Sequence, residues 1–405
     1  MARRTSLPAL AAALAAALLL AGCLGKEPPP DPHALAVGAL LPFTGGNAAS
    51  GSNLERALML AVENVNAGGG VGGRDLRLVA RDTRTDPAWG LEKAQELLDG
   101  EKVVALMGPE SEELAQALGP LMAQRRIVQI SGGLVSPAFT SVEDGDFCFR
   151  TNPSATELSA ALADRMSRDG VRTAVIIHES DVYGVQFANA LGLAAGARGI
   201  NTGLPMVIEP GLSSHGPLIQ MALEHKPDAV VMVSYPEQAA GIALEWSAVG
   251  GTLRWYLPPS LRHQVFADNL PPSLVEGMVG VAAAVRDEAA FAAAFSSRWY
   301  GEEPTNGAAY YYDALAVWAL AAEATWHEQG ELTPEVLRQQ LRAVTRSPGE
   351  KVAWNDLGRA LSLVREGKDV DYVGASGEVD LDAHGDAAAT ATRFWTIRNG
   401  RVQDE

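Results

Sequence analysis

Cysteine is nearly absent, with two in 405 residues, so a disulfide framework is excluded and the core must be large enough to be stable without one. Cys148 lies in the apolar run Phe147-Cys148-Phe149, the setting of a buried, inert thiol. Basic residues are also in short supply: 32 Lys and Arg face 49 Asp and Glu, for a net charge of −17. Such a balance excludes nucleic acid as a partner and a basic hold on anionic lipid, since both need positive surface. Long apolar runs are missing too. Leu7 to Ala21 falls short of the roughly twenty residues that span a bilayer, and Asp313 and Glu323 interrupt the best later stretch.

Catalytic and cofactor chemistry is equally sparse. The seven histidines are scattered with no pair at metal-ligand spacing, so neither a metal nor a cofactor is expected. Gly68 to Gly73 has the letters of a dinucleotide loop, but it follows a helical pattern and precedes a strand, the reverse of what pyrophosphate binding requires. Gly374-Ala375-Ser376-Gly377 lacks the strand-to-helix setting of a nucleophile elbow. His178 beside Glu179 is the best general-base candidate, with nothing nucleophilic near it in sequence. No catalytic residue is assigned and no enzyme is expected.

What is present is alternation. Leu35 to Leu41 is a short apolar run ending at Pro42 and Gly45, as a buried parallel strand would. Leu54, Ala57, Leu58, Ala61, Val62 and Val65 then recur at three and four residues, one face of a helix that stops at Gly68. Strands near Leu76–Val79, Val103–Met107, Ile127–Ile130 and Phe147–Arg150 follow, with helices between. After Asn152–Pro153 the alternation restarts, with strands at Thr173–Ile177, Leu204–Ile208, Ala229–Val233, Trp255–Leu257 and Met278–Ala283. Gly377–Asp382 and Thr392–Ile397 alternate as antiparallel strands do. The fold class is α/β, with two Rossmann-like lobes and parallel central sheets. In such sheets small ligands bind outside the carboxyl ends of the strands, here the turns Phe43–Ser50, Pro109–Glu113 and Ser131–Ser136.

At the amino end, Arg3 and Arg4 precede the apolar run, and small residues lead to Cys23, the pattern of an export signal. Leu20-Ala21-Gly22-Cys23 resembles the lipobox of bacterial lipoproteins, which implies a signal peptide over residues 1–22, lipidation at Cys23 and a tether over 23–34. The implied location is the periplasmic side of a bacterial membrane.

Along the rest of the chain, Gly38-Ala39-Leu40-Leu41-Pro42-Phe43-Thr44-Gly45, Asn64-Val65-Asn66-Ala67-Gly68-Gly69, Arg81-Asp82-Thr83-Arg84-Thr85-Asp86-Pro87 and Phe149-Arg150-Thr151 come in order. Tyr183-Gly184, Tyr310-Tyr311-Tyr312-Asp313-Ala314, Asp371-Tyr372-Val373-Gly374-Ala375-Ser376-Gly377 and Asp380-Leu381-Asp382-Ala383-His384-Gly385-Asp386 follow. In this order they resemble the type I periplasmic substrate-binding proteins, the leucine/isoleucine/valine-binding group that serves ATP-binding-cassette importers. The resemblance implies lobes joined by three crossings, placed near Thr151, Gly277 and Gly377. One lobe is then 35–150 plus 278–376 and the other 151–277 plus 377–405. It also implies an amino acid, or a related amide or amine, bound between lobes that close on it, and an inner-membrane permease as partner. A sensor lobe reporting to a signalling partner, and a lipoprotein hydrolase, are the alternatives.

Carried over residue by residue, the resemblance implies a ligand site of Ser50, Ser111, Glu112, Gly132, Gly133, Val135, Tyr183, Tyr235 and Ser260. Ser111 is the candidate hydroxyl for a ligand carboxylate, although Glu112 occupies the aligned position. Val135 stands where the family has threonine, Ser260 where it has an acid, and Ser50 where a tyrosine is common. Glu110, Glu112 and Glu113 also suit the ordinary role of acids in a helix's first turn. Facing a cleft, they would disfavour a simple carboxylate ligand and favour a neutral or cationic one. Tyr183, in a strand-to-helix turn, reads as a ligand contact ahead of half-buried core, and Tyr235 reads as either.

Overall fold

A computed structural model describes residues 33–212, 214–249, 253–286, 288–305, 307–346, 348–387 and 392–405. The export signal and Cys23 lie outside the described residues. Within Leu35–Glu405, which forms one unit, the chain builds two central sheets and a small third.

Strands β1 (Leu35–Leu41), β2 (Leu76–Asp82), β3 (Ala105–Met107), β4 (Val128–Ser131) and β5 (Cys148–Arg150) make the first sheet, in the order β2-β1-β3-β4-β5. Every pairing in it is parallel. All seven residues of β1 are buried, because helices cover both faces of a central parallel strand and leave no place for a polar residue. The helix Ala48–Ala67 buries Leu54, Ala57, Leu58, Ala61, Val62 and Val65, the face expected from the spacing. Each such buried leucine or valine contributes about 1.5–3 kcal/mol.

The second sheet takes β6 (Ala174–Glu179), β7 (Met206–Ile208), β8 (Ala229–Val233), β9 (Arg254–Leu257) and β10 (Val279–Ala283), with two later strands. Two short strands, β11 (Glu350–Ala353) and β12 (Val370–Val373), form a small two-stranded parallel sheet. Finally β13 (Thr392–Arg398) and β14 (Arg401–Asp404) run antiparallel at the edge of the second sheet, whose order is β14-β13-β10-β9-β8-β6-β7.

Two expected boundaries move. Strand β10 belongs to the second sheet, paired with β9 and β13, so the crossing anticipated near Gly277 lies beyond Ala283. The physical reason is Gly280, whose missing side chain makes room for the Trp395 ring; a Cβ there would lie 2.1 Å from it. Val379 and Leu381 are buried in the core of the first lobe, so the chain has not left that lobe at Gly377, where the third crossing was expected. Gly377–Asp382 makes isolated bridges only, Val373 to Glu378 and Leu381 to Ala387, because its apolar residues plug a core and leave its backbone without a ladder partner. Near Thr151, Arg150 closes β5, Ser154 caps the helix Ala155–Arg168, and that helix packs with β6 and β8 of the second sheet.

Candidate functional site

The loops at the carboxyl ends of β1, β3 and β4 gather on one side of the first sheet, and each is held by an acid. After β1, Asp82 accepts the backbone N–H groups of Phe43 (3.0 Å) and Thr44 (3.1 Å) and the Thr44 hydroxyl (2.6 Å). Glu110 accepts from the Asn47 amide (2.5 Å) and the Ser50 hydroxyl (2.8 Å). Burial pushes its carboxyl up to about 7. Ser111 opens the helix Glu112–Arg125, its hydroxyl accepting from Leu114 N–H at 3.2 Å, which satisfies one of the end donors that a helix leaves unpaired.

Glu112 is 3% exposed. Its Oε1 accepts from two backbone donors of the loop after β4, Val135 N–H (2.7 Å) and Ser136 N–H (2.6 Å). Its Oε2 is buried with no hydrogen-bond partner. Burial, opposed by those two bonds and by the Arg150 charge, puts this carboxyl at about 7. Arg150 itself, 1% exposed, is committed elsewhere. It meets Asp386 through Nε and Nη2 at 2.8 Å and donates to Ser136 O at 2.7 Å.

The second lobe supplies a different surface. At the end of β6 the chain turns into the helix Val182–Gly196, capped by Asp181, whose Oδ1 accepts from Gly184 N–H at 2.7 Å. The turn is tight enough that a Cβ on Gly184 would lie 2.3 Å from Glu179 O. The Tyr235 hydroxyl donates to Asp181 Oδ2 (2.7 Å), and the Tyr183 hydroxyl to Ser260 Oγ (3.0 Å), which in turn donates to Ser234 O (2.8 Å). The Tyr183 and Tyr235 rings lie 6.0 Å apart. Ser234 donates to Glu179. Burial raises the carboxyls of both Glu179 and Asp181; Asp181 then repels Glu179, and Glu113 repels Asp181.

The two surfaces meet. Glu113 Oε1 accepts Val182 N–H at 2.6 Å, a first-lobe carboxylate on the positive end of a second-lobe helix. Its Oε2 accepts from Ser111 at 3.1 Å. Val135 packs among second-lobe residues, and its carbonyl accepts Ala155 N–H at 2.6 Å. Thr151, the residue after β5, donates to Tyr310 O at 2.8 Å.

The structure therefore brings Ser111, Glu112, Val135, Tyr183, Tyr235 and Ser260 to the region where the two lobes meet, with Ser50 and Gly133 beside Glu110. Four residues have roles other than those the sequence predicted. The Ser111 hydroxyl is spent on the helix cap and Glu113, and Ser50 on Glu110. Gly132 is a packing position: a Cβ there would lie 2.7 Å from the Tyr311 ring. Glu112 is at once helix-turn acid and cleft residue, which the sequence had set as alternatives. Asp181 and Glu113 were missed as bridging residues. Asp181 before Val182-Tyr183-Gly184 has the look of a helix cap, but nothing local shows that its helix faces a partner 69 residues earlier in the chain.

Elsewhere among the described residues, Asp371, Glu378 and Asp380 bring three oxygens within 4.8 Å of one another. The Lys351 ammonium lies 3.8 Å from Asp371 and 3.3 Å from Glu378, so the cation there is a side chain. No described helix is long and apolar enough to cross a membrane.

The sequence model of the family described as periplasmic binding protein matches residues 34–358. Among curated proteins, the chemotactic signal transduction system substrate-binding protein BasB of Halobacterium salinarum is 29% identical over 363 residues, covering 86% of this chain and 83% of that one. Among solved structures, the leucine-binding protein LivK of Thermotoga maritima superposes with a TM-score of 0.76 at 21% identity, over 92% of this chain and 97% of that one. A solute-binding protein of an ABC transporter from R. palustris, in complex with benzoate, superposes equally well, with a TM-score of 0.76 at 20% identity over 92% and 95% of the two chains. One backbone thus serves proteins with unlike ligands, and the ligand must be read from side chains.

Proposed function

The chain belongs to the periplasmic binding protein family, a family of extracytoplasmic receptors for small molecules, and from that premise we propose that it is the solute receptor of an ABC importer. Its ligand is a small polar or amphipathic molecule held between the lobes, and its partner is a permease in the inner membrane. The observation that supports this reading is the hydrogen bond that Val182 N–H of one lobe donates to Glu113 Oε1 of the other, a polar lobe-to-lobe contact that a guest's own contacts can replace. The ligand contacts are assigned to Glu112, Val135 and the rings of Tyr183 and Tyr235. Contacts to both lobes favour the closed state. A micromolar ligand supplies about 8 kcal/mol, enough to reverse an open-state preference of a few kcal/mol.

Lipidation at Cys23 would hold the receptor beside its permease. Cys23→Ser is expected to release the protein into the soluble fraction, and continued sedimentation with membranes would rule out lipid as the sole attachment. A thermal-shift panel of amino acids, amides, amines and aromatic acids tests the receptor reading itself. A ligand at a hundred times its dissociation constant adds about 2.7 kcal/mol, whereas a panel without a single shift would count against it. The likeness to BasB favours one second reading, in which the closed form reports to a signalling partner. Deleting the gene separates them: lost uptake with intact taxis marks a transporter, and the converse a sensor.

A further inference from the structure

We propose that the solute held between the lobes is an organic cation without a free carboxylate, its ammonium seated on the unpartnered Oε2 of Glu112 and flanked by Glu113 and Asp181. The proposal rests on the reading of the interlobe gap as the ligand site. Three observations carry it.

First, several of the backbone donors that could hold an anion on this surface are already filled by the protein's own oxygens. Glu112 takes Val135 and Ser136 N–H, Glu113 takes Val182 N–H, Asp181 takes Gly184 N–H, and Ser111 takes Leu114 N–H. Behind them Asp82 takes Phe43 and Thr44 N–H, and Ser131 takes Gly133 N–H. Helix ends and loop amides are the usual seats for a carboxylate, and a ligand carboxylate arriving at any of these donors would have to displace an oxygen that is built in.

Second, the acids themselves are uncompensated. Glu110, Glu112, Glu113, Glu179 and Asp181 surround the gap, and among the described residues none of them joins an ion pair. The positive groups nearest to them are engaged. Arg150 is locked on Asp386, His215 bonds Glu245 at 2.9 Å and Gln238 at 2.9 Å, and His178 Nδ1 lies 2.7 Å from Glu179 O. Burial already raises the carboxyls of Glu110, Glu112, Glu179 and Asp181, and a cationic guest would draw them back to the charged form.

Third, Glu112 Oε2 is an acceptor without a donor, inside a residue 3% exposed. A buried orphan acceptor at a ligand surface is satisfied by a ligand N–H. The guest is an organic cation and not a metal ion, because the gap acids do not converge: the described residues bring three potential metal ligands within 4.8 Å only at Asp371, Glu378 and Asp380. The Tyr183 and Tyr235 rings, 6.0 Å apart, give the guest's carbon chain, or the face of its charge, an aromatic wall. The positive helix ends at Glu112 and Val182 do not oppose a cation, since each is already neutralised by an acid of its own gap.

Matched ligands test this on the purified full chain by titration calorimetry at neutral pH: L-leucine, L-leucinamide, 3-methylbutylamine and 4-methylpentanoate, which share one branched chain and differ in their charged groups. Leucinamide or 3-methylbutylamine is expected to bind at least tenfold more tightly than leucine, with 4-methylpentanoate inert. Leucine or 4-methylpentanoate binding as tightly as the amines overturns the proposal and leaves the receptor reading standing. If neither amine binds, the proposal also falls; a thermal shift with leucine or benzoate then still supports a receptor, and none with any ligand removes both. Glu112→Gln keeps an oxygen for Val135 and Ser136 while deleting the charge. It is expected to lose at least tenfold in amine affinity with its denaturation midpoint unchanged or raised, and unchanged affinity overturns the seat. Should that variant fail to fold, Glu113→Gln is read the same way, with a severalfold loss expected.

Discussion

The two surfaces that face each other across the gap are made of different chemistry. The first-lobe surface is acid on amide: Asp82, Glu110 and Glu112 each reach back to hold the loop beside them. The second-lobe surface is aromatic and hydroxylic: Tyr183, Ser260 and Ser234 pass hydrogen bonds along a chain, and Tyr235 donates separately to Asp181. The first surface is rigid because its polar groups satisfy one another, and it recognises a guest only through the atoms left over. The second also carries two acids, Glu179 and Asp181, and adds the ring area of Tyr183 and Tyr235. Charge is therefore read chiefly through Glu112 and Glu113 of the first lobe, and carbon shape by the second.

The strongest way to break this comparison is at the support of the first surface. Arg150→Ala leaves Asp386 buried without its partner, and removing one member of such a pair costs about 3–5 kcal/mol. Urea unfolding should show that loss, whereas a change below about 1 kcal/mol would mean that the first surface does not depend on Arg150.

Titration sharpens the comparison next. Glu112 is raised from 4.5 to about 7 and Asp313 from 3.8 to about 6, both chiefly by burial. The folded chain holds these protons to higher pH than the unfolded one. The stability they contribute is complete below their ordinary values and is lost as pH rises through 6 to 7. Apo stability should therefore fall between about pH 5 and 8, by up to about 1.4 kcal/mol per unit for each group. Glu112→Gln should flatten that slope, and an identical slope in the variant would remove Glu112 as its source.

On the second surface, Tyr183→Ala is expected to lower ligand affinity about tenfold, near 1.4 kcal/mol, with a smaller loss of apo stability. Equal losses in calorimetry and unfolding would make Tyr183 a core residue. The smallest effect is assigned to Ser260→Ala, which removes the acceptor of the Tyr183 hydroxyl and should cost about 0.5–1.5 kcal/mol in affinity. A Tyr183→Phe, Ser260→Ala pair that loses no more than either single change would place both on one hydrogen bond.

Much of the frame was legible because its signals are local. The unbroken apolar run of β1 and the three-and-four spacing of Leu54 to Val65 describe buried elements wherever they sit. The sheet to which β10 belongs was not legible, since an apolar strand carries no mark of its partner; Gly280 and Trp395 decide it across more than a hundred residues. The same holds at the site. Residue types near Glu112 and Tyr183 were readable from sequence, but an acid in a first helical turn looks alike whether it faces solvent or, as here, the amides of a neighbouring loop. Glu113 and Val182, brought together only by the meeting of the lobes, had no signal at all.

Closure on a guest is the claim everything else depends on, and small-angle scattering reads it directly. With whichever ligand of the amine, amino-acid and aromatic-acid panel binds most tightly, the radius of gyration at saturation should fall below that of the free protein. A radius unchanged when the ligand is bound stoichiometrically would contradict the account.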